Sequence, residues 1–120
     1  MTDIQSSVLF TEKSMLGIDT DDTAFDQELI VYINSALFTL FQLGIGEYAD
    51  PPMILGTEDP WEIVIGDRLD LESVKSYIYL KVKTIFDPPS NAFVMTSMEN
   101  QIKELEWRLN VQAESEETHE

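Results

Sequence analysis

The chain of 120 residues contains no cysteine, a single histidine and only seven basic side chains, and these shortages narrow its chemistry at once. Without cysteine there is no disulfide framework and no thiolate metal site, and nothing calls for an oxidising compartment, so a reducing cytoplasm suits it. The lone histidine, His119, stands beside the last residue, which leaves no basis for a Ser-His-Asp triad or a histidine metal cluster on an ordered scaffold. Gly44-Ile45-Gly46 lacks the further glycine and the helix start of a dinucleotide fingerprint. The most apolar run, Ile30 to Ile45, is broken by Asn34, Ser35, Thr39, Gln42 and Gly44, and it is short of the roughly 20 apolar residues a membrane span needs. Met1-Thr2-Asp3 carries neither the basic flank nor the apolar core of a signal peptide. The expectation is a soluble intracellular protein without cofactor or metal, and not an enzyme.

What the chain has in excess is acid. Its formal charge is −16, from 23 acidic and 7 basic side chains, unevenly spread. Residues 1–70 hold 14 acidic and 2 basic groups, residues 71–110 hold 5 of each, and residues 111–120 hold 4 acidic and none basic. Such a surface repels nucleic-acid phosphates, whose binders cluster Lys and Arg, so direct DNA binding is disfavoured. The length fits one domain with a modest core.

The spacing of apolar residues predicts an all-α fold, a bundle of four main helices plus a short extra helix in a long central loop. Ile4, Val8, Leu9 and Leu16 mark a first helix near 6–16, closed by Gly17. Asp19-Thr20-Asp21-Asp22 links it to a second, near 23–43, with Thr23 and Asp26 as a capping box and Phe25, Leu29, Ile33, Ala36, Leu40 and Leu43 on one stripe. A second apolar line, Ile30, Leu37 and Phe41, widens the buried arc, so this helix is either central to the bundle or shared with a partner surface. Gly44 to Gly66 is rich in proline and glycine, which rules out a long regular element and marks a loop to be tested as a contact site. Within it, Asp59-Pro60-Trp61-Glu62 reads as a helix start with Asp59 as N-cap, a strand over Trp61 to Ile65 being the weaker alternative.

Leu71, Val74, Ile78, Val82 and Ile85 line a third main helix, near 70–86. Asp87-Pro88-Pro89 stops it and forms a hinge, because Pro88 lacks an N–H and pushes its predecessor out of the helical region. Val94, Met98, Ile102, Leu105 and Leu109 repeat the spacing over a fourth, near 90–110. Residues 1–110 thus make one helical domain and residues 111–120 a flexible acidic tail.

Asp19, Asp21, Asp22, Asp26 and Glu28 suggest a calcium loop only superficially, since counting from Asp19 the required Gly and Glu positions hold Ala24 and Ile30. Capping and helix-dipole stabilisation explain these acids better. Glu99 with Lys103 and Glu104 with Arg108 stand four apart in the favourable order, features of a solvated face. Trp107 projects about 200° from Leu105 and Leu109, with Phe93 near the same side, so the two are either covered by other parts of the chain or exposed protein-binding anchors. Tyr79, between Lys75 and Lys83, and Trp61 join Ile30, Leu37 and Phe41 as further interface candidates.

Two long helices around Phe86-Asp87-Pro88-Pro89, an opening helix ending in Leu16-Gly17-Ile18 before an acidic loop, and Ile33-Asn34-Ser35-Ala36-Leu37 within the second helix together resemble the head-tail connector (adaptor) proteins of tailed bacteriophages. The resemblance covers most of residues 4 to 110. It implies a structural virion protein that forms a ring beneath the portal, with copy number usually matching the portal's twelve-fold ring. Its partners would be its own copies, the portal protein and a stopper or tail-completion protein, with genome DNA passing through during packaging and ejection without specific binding. The implied location is the head-tail interface of the virion, and the host cytoplasm during assembly. A reading from another class is an acidic DNA mimic that occupies a host nucleic-acid-binding protein; it draws on the acids of residues 1–70, although these sit in caps and loops more than along one helix face.

Overall fold

A computed structural model describes residues 7–44, 52–65 and 71–117, and among these residues the chain is helical. The elements are α1 (Val8–Leu16), α2 (Asp26–Gln42), the short α3 (Glu62–Ile65), α4 (Leu71–Phe86) and α5 (Ala92–Glu117). This is the expected bundle of four main helices with a short helix in the central loop. The strand alternative for Trp61 to Ile65 does not form; among the described residues the nearest approach to a sheet is a bridge between Ser7 and Pro60.

The helix ends follow local chemistry. Ser7 caps α1, its Oγ accepting from the Phe10 N–H, and Gly17 ends the helix at φ +79°, a left-handed conformation that glycine adopts without a Cβ penalty. At the start of α2 the expected capping box is absent. The helix begins at Asp26, Phe25 precedes it with no side-chain cap, and the Asp26 carboxylate turns to Lys13 instead. Asp59 likewise does not cap α3. Its carboxylate accepts from the backbone N–H groups of Leu55 and Gly56 and closes a turn within the loop. Asn91 caps α5, its Oδ1 accepting from the N–H groups of Phe93 and Val94.

α4 is the centre of the bundle, packed on α1, α2 and α5. Its Val74, Tyr77, Ile78 and Val82 meet Leu29, Ile33, Ala36, Leu37 and Leu40 of α2, Val8 and Leu9 of α1 and Leu109 of α5 in one core. α2 and α5 both pack on α4. Two cross-ties fix their heights: Phe25, just before α2, packs edge-to-face on Phe86 at the end of α4, and Asn110 of α5 donates to the Leu43 carbonyl after α2. Since α4 runs against both neighbours, α2 and α5 run in the same direction.

The central loop is built into this core. Ile54, Trp61 and Val64 are buried, and the Asn34 side chain of α2 both donates to the Ile54 carbonyl at 2.9 Å and accepts from its N–H at 2.7 Å. Val8 N–H donates to the Asp59 carbonyl and Trp61 Nε1 to Thr11 Oγ1, which stitches the loop to α1. Residues 111–117, expected as an irregular acidic tail, continue α5 to Glu117. Val-Gln-Ala-Glu-Ser-Glu-Glu holds no glycine or proline, and its Gln, Ala and Glu are good helix formers. The last three residues, His119 among them, lie outside the described residues, as do Ile4 and the segment 45–51.

Candidate docking surface

Within α5, Met98 and Leu109 are buried and Ile102 and Leu105 are half-buried, which fixes the side of the helix that faces α4. At 100° per residue, Phe93, Asn100, Trp107 and Val111 fall within about 40° of one another on the opposite side. Phe93 is 88 % and Trp107 67 % exposed. This crest carries two large rings about 21 Å apart along the axis, from a separation of fourteen residues. Covering by the first helix or the central loop, the alternative that the sequence left open for these rings, does not occur. Lys103 and Arg108 flank the crest on its two sides, and Arg108 is held 2.7 Å from Glu104.

α2 has a matching crest. Opposite its buried Leu29, Ile33 and Leu40 stand Val31, Ser35, Phe38 and Gln42, with Val31 63 % and Phe38 45 % exposed. The Phe38 ring leans on Phe41 at 6.3 Å between centroids. These outward residues differ from the expected line. Leu37 is fully buried in the core of its own subunit and is not available to a partner, because it lies only about 40° from Ile33 on the helix. Ile30 and Phe41 are half-buried on the shoulder of the helix. Val31 and Phe38, seven residues apart, were legible as a helical pair but fell off both apolar lines drawn from the sequence.

Trp61 is also buried, with its indole N–H donated to Thr11 and Lys75 Nζ 6.0 Å from its ring centroid, so it is a core anchor of the loop and no interface residue. Tyr79 is half-buried on α4. Asp87, Pro88 and Pro89 form the turn from α4 to α5, where the Asp87 carboxylate receives Lys83 Nζ at 2.6 Å. Among the described residues no cluster of carboxylates or histidine could hold a metal ion. No helix there is long and apolar enough to cross a membrane.

Charge is engaged unevenly. Lys13, Lys75, Lys83 and Arg108 each face a carboxylate, and Lys13 is wholly buried while donating to Asp26 and to the carbonyls of Thr20 and Asp22. Beside it, Glu12 is also wholly buried, and neither of its oxygens makes a hydrogen bond. Burial raises its pKa well above the usual carboxylate range, and the nearby Lys75 only partly offsets this. The sequence signal for this pair was present: Leu9-x-x-Glu12-Lys13-x-x-Leu16 sets both charges on the three-and-four spacing of the buried stripe. Across α4 and α5, the Tyr77 hydroxyl donates to Glu106 Oε2 at 2.7 Å; burial and that carboxylate push the phenol pKa up.

Against known proteins, the family model described as phage connector protein matches residues 8–116 of the chain. No curated protein and no solved structure matches it.

Proposed function

Because the chain belongs to the phage connector protein family, we propose that it is the adaptor at the head-tail interface, arranged as a ring below the portal and receiving the next connector or tail component during packaging and ejection of the genome. The observation that carries this reading is the pair of exposed apolar crests, one on α2 and one on α5, of a well-packed bundle. Isolated exposed apolar residues are ordinary, but two ordered crests led by Phe93, Trp107, Val31 and Phe38 fit a subunit that finishes burying its surface in an assembly. Its partners in this reading are its own copies, the portal protein and a stopper or tail-completion protein. DNA passes without being gripped, because the acidic residues outnumber the basic ones by 23 to 7 and four of the seven cations face carboxylates.

The test is genetic. A phage whose gene for this chain is silenced should make heads that fill but do not join tails, and supplying the protein to a lysate of such heads should restore infectious particles. Normal particle yield without the protein would exclude the adaptor role.

A further inference from the structure

We propose that Lys75 is a latch with two carboxylate seats: Glu72 on its own helix while Glu12 holds a proton, and Glu12 on α1 once that proton has gone to solvent. The charge state of α1 is thereby felt at Trp61, the anchor of the central loop. Glu12 is wholly buried, and both of its oxygens lack a hydrogen-bond partner. A buried carboxyl without a partner is rare. As an anion it would be more costly still, so the folded chain holds it neutral until a cation comes to it.

Lys13, the next residue, cannot serve. An ammonium has three N–H groups, and those of Lys13 go to Asp26 Oδ1 at 2.8 Å and to the carbonyls of Thr20 and Asp22. Among the described residues, Lys75 of α4 is the cation whose charge acts on Glu12. Its own carboxylate contact is weak, with Nζ 3.5 Å from Glu72 Oε1 and the Glu72 side chain 82 % exposed. Lys75 and α1 also share a neighbour. Trp61 donates its indole N–H to Thr11, which directly precedes Glu12, and Lys75 Nζ lies 6.0 Å from the centre of the same ring. The remaining acids of this junction are engaged or nearer the surface: Asp26 holds Lys13, Asp59 accepts from Leu55 and Gly56, Glu58 is half-buried and Glu62 exposed. With Glu12 neutral, the ammonium rests against Glu72 and the indole. With Glu12 ionised, attraction across the water-poor interior outweighs that surface pair. The flexible lysine stem then swings its ammonium inward, tying α1 to α4 and changing the electric field on the Trp61 ring.

The chain has two tryptophans, so a Trp107→Phe background leaves Trp61 as the sole indole reporter in the full chain. Its emission is followed from about pH 4 to pH 9, beside carbon NMR of the Glu12 carboxyl and circular dichroism of every variant. Trp61 should show one transition above the ordinary carboxylate range, with the same midpoint as the Glu12 carboxyl, and Glu12→Gln should abolish it. In Lys75→Met the Glu12 midpoint should rise by about one pH unit or more, because the ionised form loses its cation. Crystals of the unmodified chain grown below and above the midpoint should show Lys75 Nζ beside Glu72 and then beside Glu12, a comparison that stands even if Lys75→Met does not fold. An ammonium that stays beside Glu72 at both pH values would overturn the proposal. So would a Trp61 transition that survives Glu12→Gln, or a Glu12 midpoint that rises with Arg68→Met and not with Lys75→Met.

Discussion

Lys13 Nζ lies 2.8 Å from Asp26 Oδ1, the lysine wholly buried on α1 and the carboxylate in the first turn of α2. This one contact closes the acidic loop between the two helices, because the same ammonium also donates to the carbonyls of Thr20 and Asp22. Asp26→Ala leaves a buried cation without its counter-ion and is expected to cost about 3–5 kcal/mol. Asp21→Ala, on the exposed part of the same loop, should stay within about 0.5 kcal/mol. Urea unfolding of the two variants measures the contrast, and equal midpoints would show that the pair does not lock α1 to α2.

Glu12 sets a pH dependence of definite sign. Its pKa in the folded chain is raised, so the folded state keeps the proton while the unfolded chain releases it. The stability held by the neutral acid is complete below the ordinary carboxylate pKa and is lost as pH climbs from there towards the raised value. Glu12→Gln keeps the shape and removes the titration. It should be more stable than the parent at pH 7, with the difference shrinking towards pH 4. A difference that is constant with pH, or one that grows on acidification, would show that Glu12 is charged in the folded protein.

The central loop hangs on one side chain. Asn34 satisfies both backbone groups of Ile54, and Ile54 is itself fully buried. Asn34→Ala leaves a buried N–H and C=O unpaired, at about 1–3 kcal/mol each, so the variant should lose stability and its loop amides should exchange faster. Hydrogen exchange at residues 52–61 reads the loop apart from the rest of the bundle.

The periodic stripes of α2, α4 and α5 were legible because burial on one side of a helix imposes a three-and-four spacing that polar substitutions do not hide. Charges used inside the fold were harder to see. Asp26 looked like a cap and Asp59 like an N-cap, since the residue types suit both roles, yet a buried lysine and a loop turn claimed them. α5 runs past the expected end near 110 because Gln, Ala and Glu sustain a helix without an apolar stripe. Phe93 and Trp107 were separable from the stripe by angle alone. Leu37 and Trp61 were not, because an apolar side chain off the main line can be a shoulder of the core as readily as a contact with a partner.

Trp107→Ala should leave the helical signal intact, since the ring is two-thirds exposed and opposite the core, and should lower incorporation into particles. Leu109→Asp, within the core that α5 shares with α4, should instead unfold the chain, because it replaces a buried leucine with an unpaired charge. Circular dichroism beside a particle pull-down separates the two effects.

No affinity for duplex DNA is expected at physiological salt, since an anionic chain whose cations largely face its own carboxylates gains no counterion release. Fluorescence anisotropy with a labelled duplex checks this, and salt-sensitive micromolar binding would contradict it.

The most direct test of the adaptor role is a cryo-electron microscopy reconstruction of the head-tail interface in the purified phage particle. The account predicts a ring of this helical bundle immediately below the portal. A portal joined to the tail by other density, with this chain absent from the particle, would contradict it.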